Sequence, residues 1–227
     1  MTSEVTKFHF YEPKLGHRLA HNPLNAIIAP RPIGWISTRD TEGRCNLAPY
    51  SFFNAFNYDP PIIGFSGTVL KNRIGPNWKN SIKNAMETKE FVWNLVTMDL
   101  AEKMNETAKG VAWGVDEFKL AGLSPVPGRL VNVPRVGESS AAMECKVIDI
   151  VQYKDSTGKL IDGWLVLGEV VAVYIDESLI KNGVYQTAYA NSIARCGGID
   201  DYMHITENAM FKMRMHANPQ NTTTHGV

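Results

Sequence analysis

The sequence has neither a disulfide framework nor a recognisable metal site. Its three cysteines, Cys45, Cys145 and Cys196, are odd in number and far apart, and no CxxC occurs. That pattern predicts reduced, mostly buried thiols rather than bridges or thiolate ligands. None of the six histidines stands in an HExxH or a closely spaced pair, so metal chemistry has no support. No window holds the roughly 18 consecutive apolar residues that a bilayer-spanning helix needs. The opening MTSEVTKFHFYEPKLGHR also lacks the basic-then-apolar pattern of a secretory signal. The expectation is a cytoplasmic protein with no membrane partner. Charge of neither sign is in excess, with 23 Lys plus Arg against 23 Asp plus Glu, which removes the electrostatic case for nucleic acid. GxSxG, the P-loop and GxGxxG are absent, so hydrolase and dinucleotide-fold readings lose their anchors.

Against these absences stands a composition that folds. Hydrophobic residues at 44% and charged residues at 20% exclude disorder and fibrous classes, and 227 residues suit one large domain around a single core. Strand signals dominate. IGWIS at 33–37 and CNLAP at 45–49 flank a polar, Gly-containing turn, which predicts a hairpin over 32–49. PPIIGFS at 60–66 starts after two prolines, where a strand tolerates the missing donor. EFVWNLVT at 90–97 alternates, with Asn94 the one amide on an apolar face. AMECKVIDIVQY at 142–153, the turn KDSTGK, and WLVLGEVVAVYI at 164–175 form the strongest hairpin. The second strand is apolar on both faces, as expected where one side fills a barrel and the other meets a helix or a second subunit. Segments 72–89 and 99–110 read as helical, the second with Asp99 as N-cap and Gly110 as stop. Many short strands with few helices predict a mainly β barrel or sandwich.

Three stretches have the side chains for ligand chemistry. In RPIGWIST, Ser37 and Thr38 place two hydroxyls where the hairpin turns, a pattern that serves either a ligand or local turn backbone. In GFSGTVLKNRIGPN, Ser66 and Thr68 precede Lys71, Asn72 and Arg73 at the start of a helix. Cations, hydroxyls and unpaired helix-start N–H groups suit a phosphate monoester; a solvated basic helix cap is the rival reading. NLAPYSFFNAFNYDPP at 46–61 packs five aromatic rings, three asparagines and three prolines into one stretch. Tyr50, Phe52 and Phe53 suit the faces of a flat ring system, and Ser51 and Asn54 suit its polar edge. Pro49, Pro60 and Pro61 stiffen the chain and withhold it from a ladder. The alternative is an aromatic core corner. Near the end, ARCGGIDDY sets Arg195 beside paired glycines; Asp200 and Asp201 read as a solvated turn or a partner for arginine.

The blocks RPIGWIST, NLAPYSFFNAFNYDPP, FVWNLV, LAEKMNET, AGLSPVPGRLVNVPRV, AMECK and ARCGGIDDY, in this order, resemble the flavin reductase-like family, whose members are FMN-binding split barrels. The resemblance covers residues 21–205, between an N-terminal extension at 1–20 and a polar tail at 206–227. It implies a Greek-key split β-barrel with a few peripheral helices, paired as a homodimer with FMN at the subunit interface. The flavin contacts it implies are Trp35, Ser37 and Thr38; Ala48, Pro49, Tyr50, Ser51, Phe52, Phe53 and Asn54; and Ser66, Lys71, Asn72 and Arg73. Arg195 is taken with the same set. Relatives often carry Lys-Asp-Thr at residues 71–73 and Arg-Leu-Gly-Gly at residues 195–198, so this chain departs from the pattern in both places. The implied activity is NAD(P)H-dependent flavin reduction, hydride passing from nicotinamide C4 to flavin N5 with no side-chain acid or base required, and NADH or NADPH as the partner. A flavin-dependent monooxygenase component is the implied consumer. The alternatives are a flavoredoxin-type electron carrier and a redox-inactive binding module.

Overall fold

In a computed structural model, residues 7–68, 79–198 and 200–213 are described. The molecule is mainly β. Its frame is an antiparallel seven-stranded sheet built from β1 (Gly34–Arg39), β2 (Cys45–Tyr50), β3 (Phe53–Asn57), β4 (Ile62–Thr68), β5 (Glu90–Asn94), β6 (Ala141–Lys154) and β7 (Leu160–Ile175). Their order across the sheet is β2-β1-β5-β6-β7-β4-β3. The two hairpins read from sequence form as expected: Trp35 pairs with Pro49 in the first, and Val166 with Ile150 in the second.

The sheet curls because its longest strands are interrupted. The β6–β7 ladder shifts register near Gly168, where an added Cβ would lie 2.4 Å from the Phe91 ring. An irregularity of this kind bends the strand and raises its twist. The curl brings Tyr50, on one edge, to 4.9 Å from the ring of Phe65 near the other. Helix α1 (Asn80–Thr88) plugs the interior, burying Ile82 and Ala85 against Ile36, Phe65, Phe91 and Val166.

Strand β1 is covered on both faces, and period-two alternation assigns its side chains. Ile36 faces the barrel interior. Trp35 faces a second core with Leu47, Leu100, Met104 and Phe118, closed by α2 (Ala101–Glu106) and α3 (Glu117–Leu120). A small three-stranded sheet joins Arg31–Pro32, β8 (Ile193–Arg195) and β9 (Tyr202–His204).

Three local expectations are corrected. Asp99 is not the N-cap: a 3-10 turn at Met98–Leu100 precedes α2 with Thr97 at its cap, and the Thr97 hydroxyl donates to Asp99 at 2.5 Å. α2 stops at Thr107, three residues before Gly110. The aromatic stretch is not wholly outside a ladder either, since Phe53–Asn57 forms the edge strand β3 against β4. An edge needs donors on one side only, and the prolines at 60 and 61 fall just beyond it.

Candidate functional site

Strand β2 is the opposite edge of the sheet, and among the described residues no further strand pairs with its outward side. On that side one donor is missing and another is answered by a side chain. Pro49 has no N–H to offer, and the Leu47 N–H donates to the Glu117 carboxylate at 3.1 Å. Glu117 is only 3% exposed, and burial pushes its carboxyl above the ordinary range despite that hydrogen bond.

A cleft open to solvent lies along this edge. One wall is Asn46, Ala48, Pro49 and Tyr50; the facing walls are Thr107, Ala108, Lys109 and Glu117, and the start of α1 at Lys79, Asn80 and Ser81. The first helical hydrogen bonds of α1 are donated by Ile82 and Lys83 to the Lys79 carbonyl, so the N–H groups of Asn80 and Ser81 precede the ladder. The Lys79 ammonium sits 4.9 Å from the centre of the Tyr50 ring. A helix start, two lysines, amides and hydroxyls around one aromatic face form a donor set suited to a ligand with an anionic end, a polyol and a flat ring.

The walls are held from behind. Trp35, fully buried, donates its indole N–H to the Thr107 hydroxyl at 2.9 Å, and Thr107 donates to the Met104 carbonyl at 2.7 Å. The Asn46 amide donates to Ser81 at 2.8 Å, and the Asn84 amide to Thr38 at 3.0 Å, tying β1 and β2 to α1. Ser37 donates to the Pro134 carbonyl at 2.6 Å. Asn94 donates to the Trp35 carbonyl at 3.1 Å and accepts from the Val136 N–H at 2.8 Å, which accounts for an amide on an apolar strand. Trp35, Ser37 and Thr38 therefore turn their side chains inward and shape the cleft through what they hold.

The remaining sequence candidates fall in three places. Ala48, Pro49 and Tyr50 line the cleft; Ser51 and Arg195 line a second one that shares Pro49 and Ala108 with it. Phe53 stacks on Trp93 at 5.8 Å with planes 3° apart, while Phe52 and Asn54 are exposed. Ser66 accepts from the Tyr153 hydroxyl at 2.9 Å, on the opposite face of β4 from Phe65 and Gly67. Lys71, Asn72 and Arg73 lie outside the described residues. The sequence reading missed Lys79, Thr107 and Glu117. Asp116, whose side chain accepts from the Phe118 and Lys119 N–H groups, was a readable cap signal for the short helix that carries Glu117.

A flavin reductase like domain matches residues 28–193. An uncharacterized protein of Aquifex aeolicus is 38% identical over 156 residues, spanning 69% of this chain and 77% of its own. Among solved structures, nitrilotriacetate monooxygenase component B from Bacillus cereus is 28% identical with a TM-score of 0.75, covering 86% of this chain and 98% of its own. A Shewanella frigidimarina protein with a split barrel domain shares the fold at a TM-score of 0.69 and 21% identity, over 86% of this chain and 89% of its own.

Proposed function

The chain belongs to the flavin reductase-like family, and from that premise we propose that it binds FMN in the cleft along β2 and reduces it with NADH or NADPH. The observation that carries this reading is the convergence, along the β2 edge of the sheet, of the α1 start, Lys79, Asn46, Thr107 and the Tyr50 ring. The α1 start and the lysines suit a phosphate, with Lys71 and Arg73 of the neighbouring segment as further cations. Asn46, Ser81 and Thr107 suit hydroxyls, and the edge-strand backbone with Ser51 of the adjoining cleft suits the polar rim of the ring.

When bound, flavin supplies the two-electron acceptor for a nicotinamide hydride. The protein's part is to orient and to exclude water: Pro49 and Ala108 hold the wall between the two clefts, and Trp35 fixes Thr107. No residue has to act as nucleophile or general base. The kinship with a monooxygenase component suggests that reduced flavin goes to a partner oxygenase, and the active form is a homodimer.

The experiment is an FMN titration of the purified protein, followed by anaerobic NADH and then NADPH. Binding with bleaching of the flavin absorbance is expected. Binding without bleaching would transfer the reading to an electron carrier, and no binding would remove it. Lys71→Ala with Arg73→Ala should weaken FMN at least tenfold and leave riboflavin, which has no phosphate, nearly unaffected.

A further inference from the structure

We infer that Glu117 decides between charged and neutral flavins: the β2 cleft grips an anionic flavin tightly only while this carboxyl holds its proton, and a flavin without charge is indifferent to that proton. The inference rests on the proposed function, since it takes the cleft to be the flavin's.

The side chain is seated from behind. Asp116 caps α3 by accepting from the Phe118 and Lys119 N–H groups, and Phe118, fully buried, packs in one core with Trp35 and Leu47. That holds Glu117, 3% exposed, against the edge of β2 as part of the cleft wall it shares with Asn46, Ser81 and Thr107. The donors acting on its carboxyl are backbone N–H groups, that of Leu47 at 3.1 Å and its own. Among the described residues no lysine or arginine comes within 4.0 Å of it. The charged groups that share the cleft or adjoin Glu117 in sequence are Lys79 before α1, Lys109 after α2, and Asp116 with Lys119 on α3. Lys109 pairs with Glu106 and Lys119 with Asp116. On the β2 side stand the Cys45 thiol and, in the turn before it, Arg44 paired with Asp40 and Glu42.

The rest of this end of the cleft attracts an anion, through the lysines and through the N–H groups of Asn80 and Ser81 at the start of α1. An ionised carboxylate on the same wall would act as a built-in anion, answering that charge itself and repelling a second one. Across a shared cleft of effective dielectric about 20, such repulsion changes an affinity by roughly tenfold or more. Burial works against ionisation: it pushes the Glu117 carboxyl above the ordinary range, the two N–H groups oppose the push, and the Asp116 charge adds to it. A protonated Glu117 leaves the positive end of the cleft to the ligand. An anionic ligand raises the carboxyl further, so its affinity is greatest below the value in the free protein and falls as pH rises through it. Riboflavin offers the same ring and polyol without the phosphate, and has no charge to be repelled.

Fluorescence titration of FMN and of riboflavin into wild type and Glu117→Gln, from about pH 5 to about pH 9, tests this. The two proteins should bind FMN alike at the acid end, and the wild type should fall behind the variant by roughly tenfold at the alkaline end. Riboflavin should show no such divergence. Because ionisation of the FMN phosphate is common to both proteins, the ratio of their affinities isolates Glu117. Glu117→Met, also neutral, replaces the glutamine variant should that one not fold. In the wild type alone, the preference for FMN over riboflavin should shrink with rising pH, although the second ionisation of the phosphate, at about pH 6, would by itself enlarge it. Parallel FMN profiles for wild type and variant, or the same divergence for both flavins, would overturn the inference and leave the proposed function standing. FMN failing to bind at every pH would sink the proposed function, and this inference with it.

Discussion

Two buried carboxylates show how environment gives one residue type opposite behaviour. Burial pushes Glu117 above the ordinary range, and the Leu47 N–H offsets only part of that. Burial acts on Glu144 in the same sense. It is outweighed by the Tyr174 hydroxyl at 2.5 Å and the N–H groups of Arg129, Leu130 and Val131, which hold this carboxyl below its usual value. The consequences for stability have opposite signs. Glu117 keeps its proton to higher pH folded than unfolded, so its contribution is complete below the usual carboxylate range and is lost as pH rises through its folded value. The Glu144 contribution is present above the usual range and is lost as pH falls through its folded value. Urea unfolding across pH should show the wild type losing stability against Glu117→Gln on the rising side, by at most about 1.4 kcal/mol per pH unit, the slope for one proton. Glu144→Gln should lose about 3 kcal/mol at neutral pH, from donors left unpaired, and show a flatter acid limb. Parallel curves for wild type and Glu117→Gln would refute the burial argument.

Among the elements, strands were legible because alternation and turn chemistry are local. The pairing of Trp35 with Pro49 and of Val166 with Ile150 follows from the IGWIS and WLVLGEVV patterns and the turns between strands. The site was half legible. Ala48, Pro49 and Tyr50 were readable from the aromatic stretch, while Thr107 and Glu117, which face them, stand some 60–70 positions later on short helical segments of little periodicity. Only the packing of those segments over Trp35 and Leu47 brings them to the edge of β2. Ser37 and Thr38 illustrate the converse, since a hydroxyl in sequence does not say whether it meets a ligand, a carbonyl such as that of Pro134 or an amide such as that of Asn84. The curl of the sheet was also hidden, because it depends on Gly168 lying under Phe91. Gly168→Val should force that ring aside and cost about 2–3 kcal/mol in a denaturant titration. A variant as stable as wild type would mean that the bend does not need the missing side chain.

For the whole molecule, the outer face of the long hairpin is the surface to explain. Leu165, Leu167 and Val151 lie on the side of the sheet opposite Val166, and Phe56 and Leu167 cover Gly64 there. Val151 is 39% exposed, and Ile148, Leu160 and Ile161 on the same hairpin are 49%, 53% and 43% exposed. So much aliphatic surface on two adjacent strands is what an interface between copies needs. Two of the flavin candidates, Phe52 and Ser66, lie towards this outer surface rather than in the β2 cleft, and Phe52 is 44% exposed. If FMN is shared between subunits, one copy supplies the β2 edge and the other supplies residues such as these, which makes dimerisation and flavin binding linked equilibria. Val151→Asp with Leu165→Asp places two charges on the outer face without touching the cleft. Light scattering should report a monomer, and fluorescence titration should show FMN affinity reduced at least tenfold. A folded monomer that binds FMN as tightly as the wild type would place the whole flavin site within one chain and would leave Phe52 and Ser66 without a part in it.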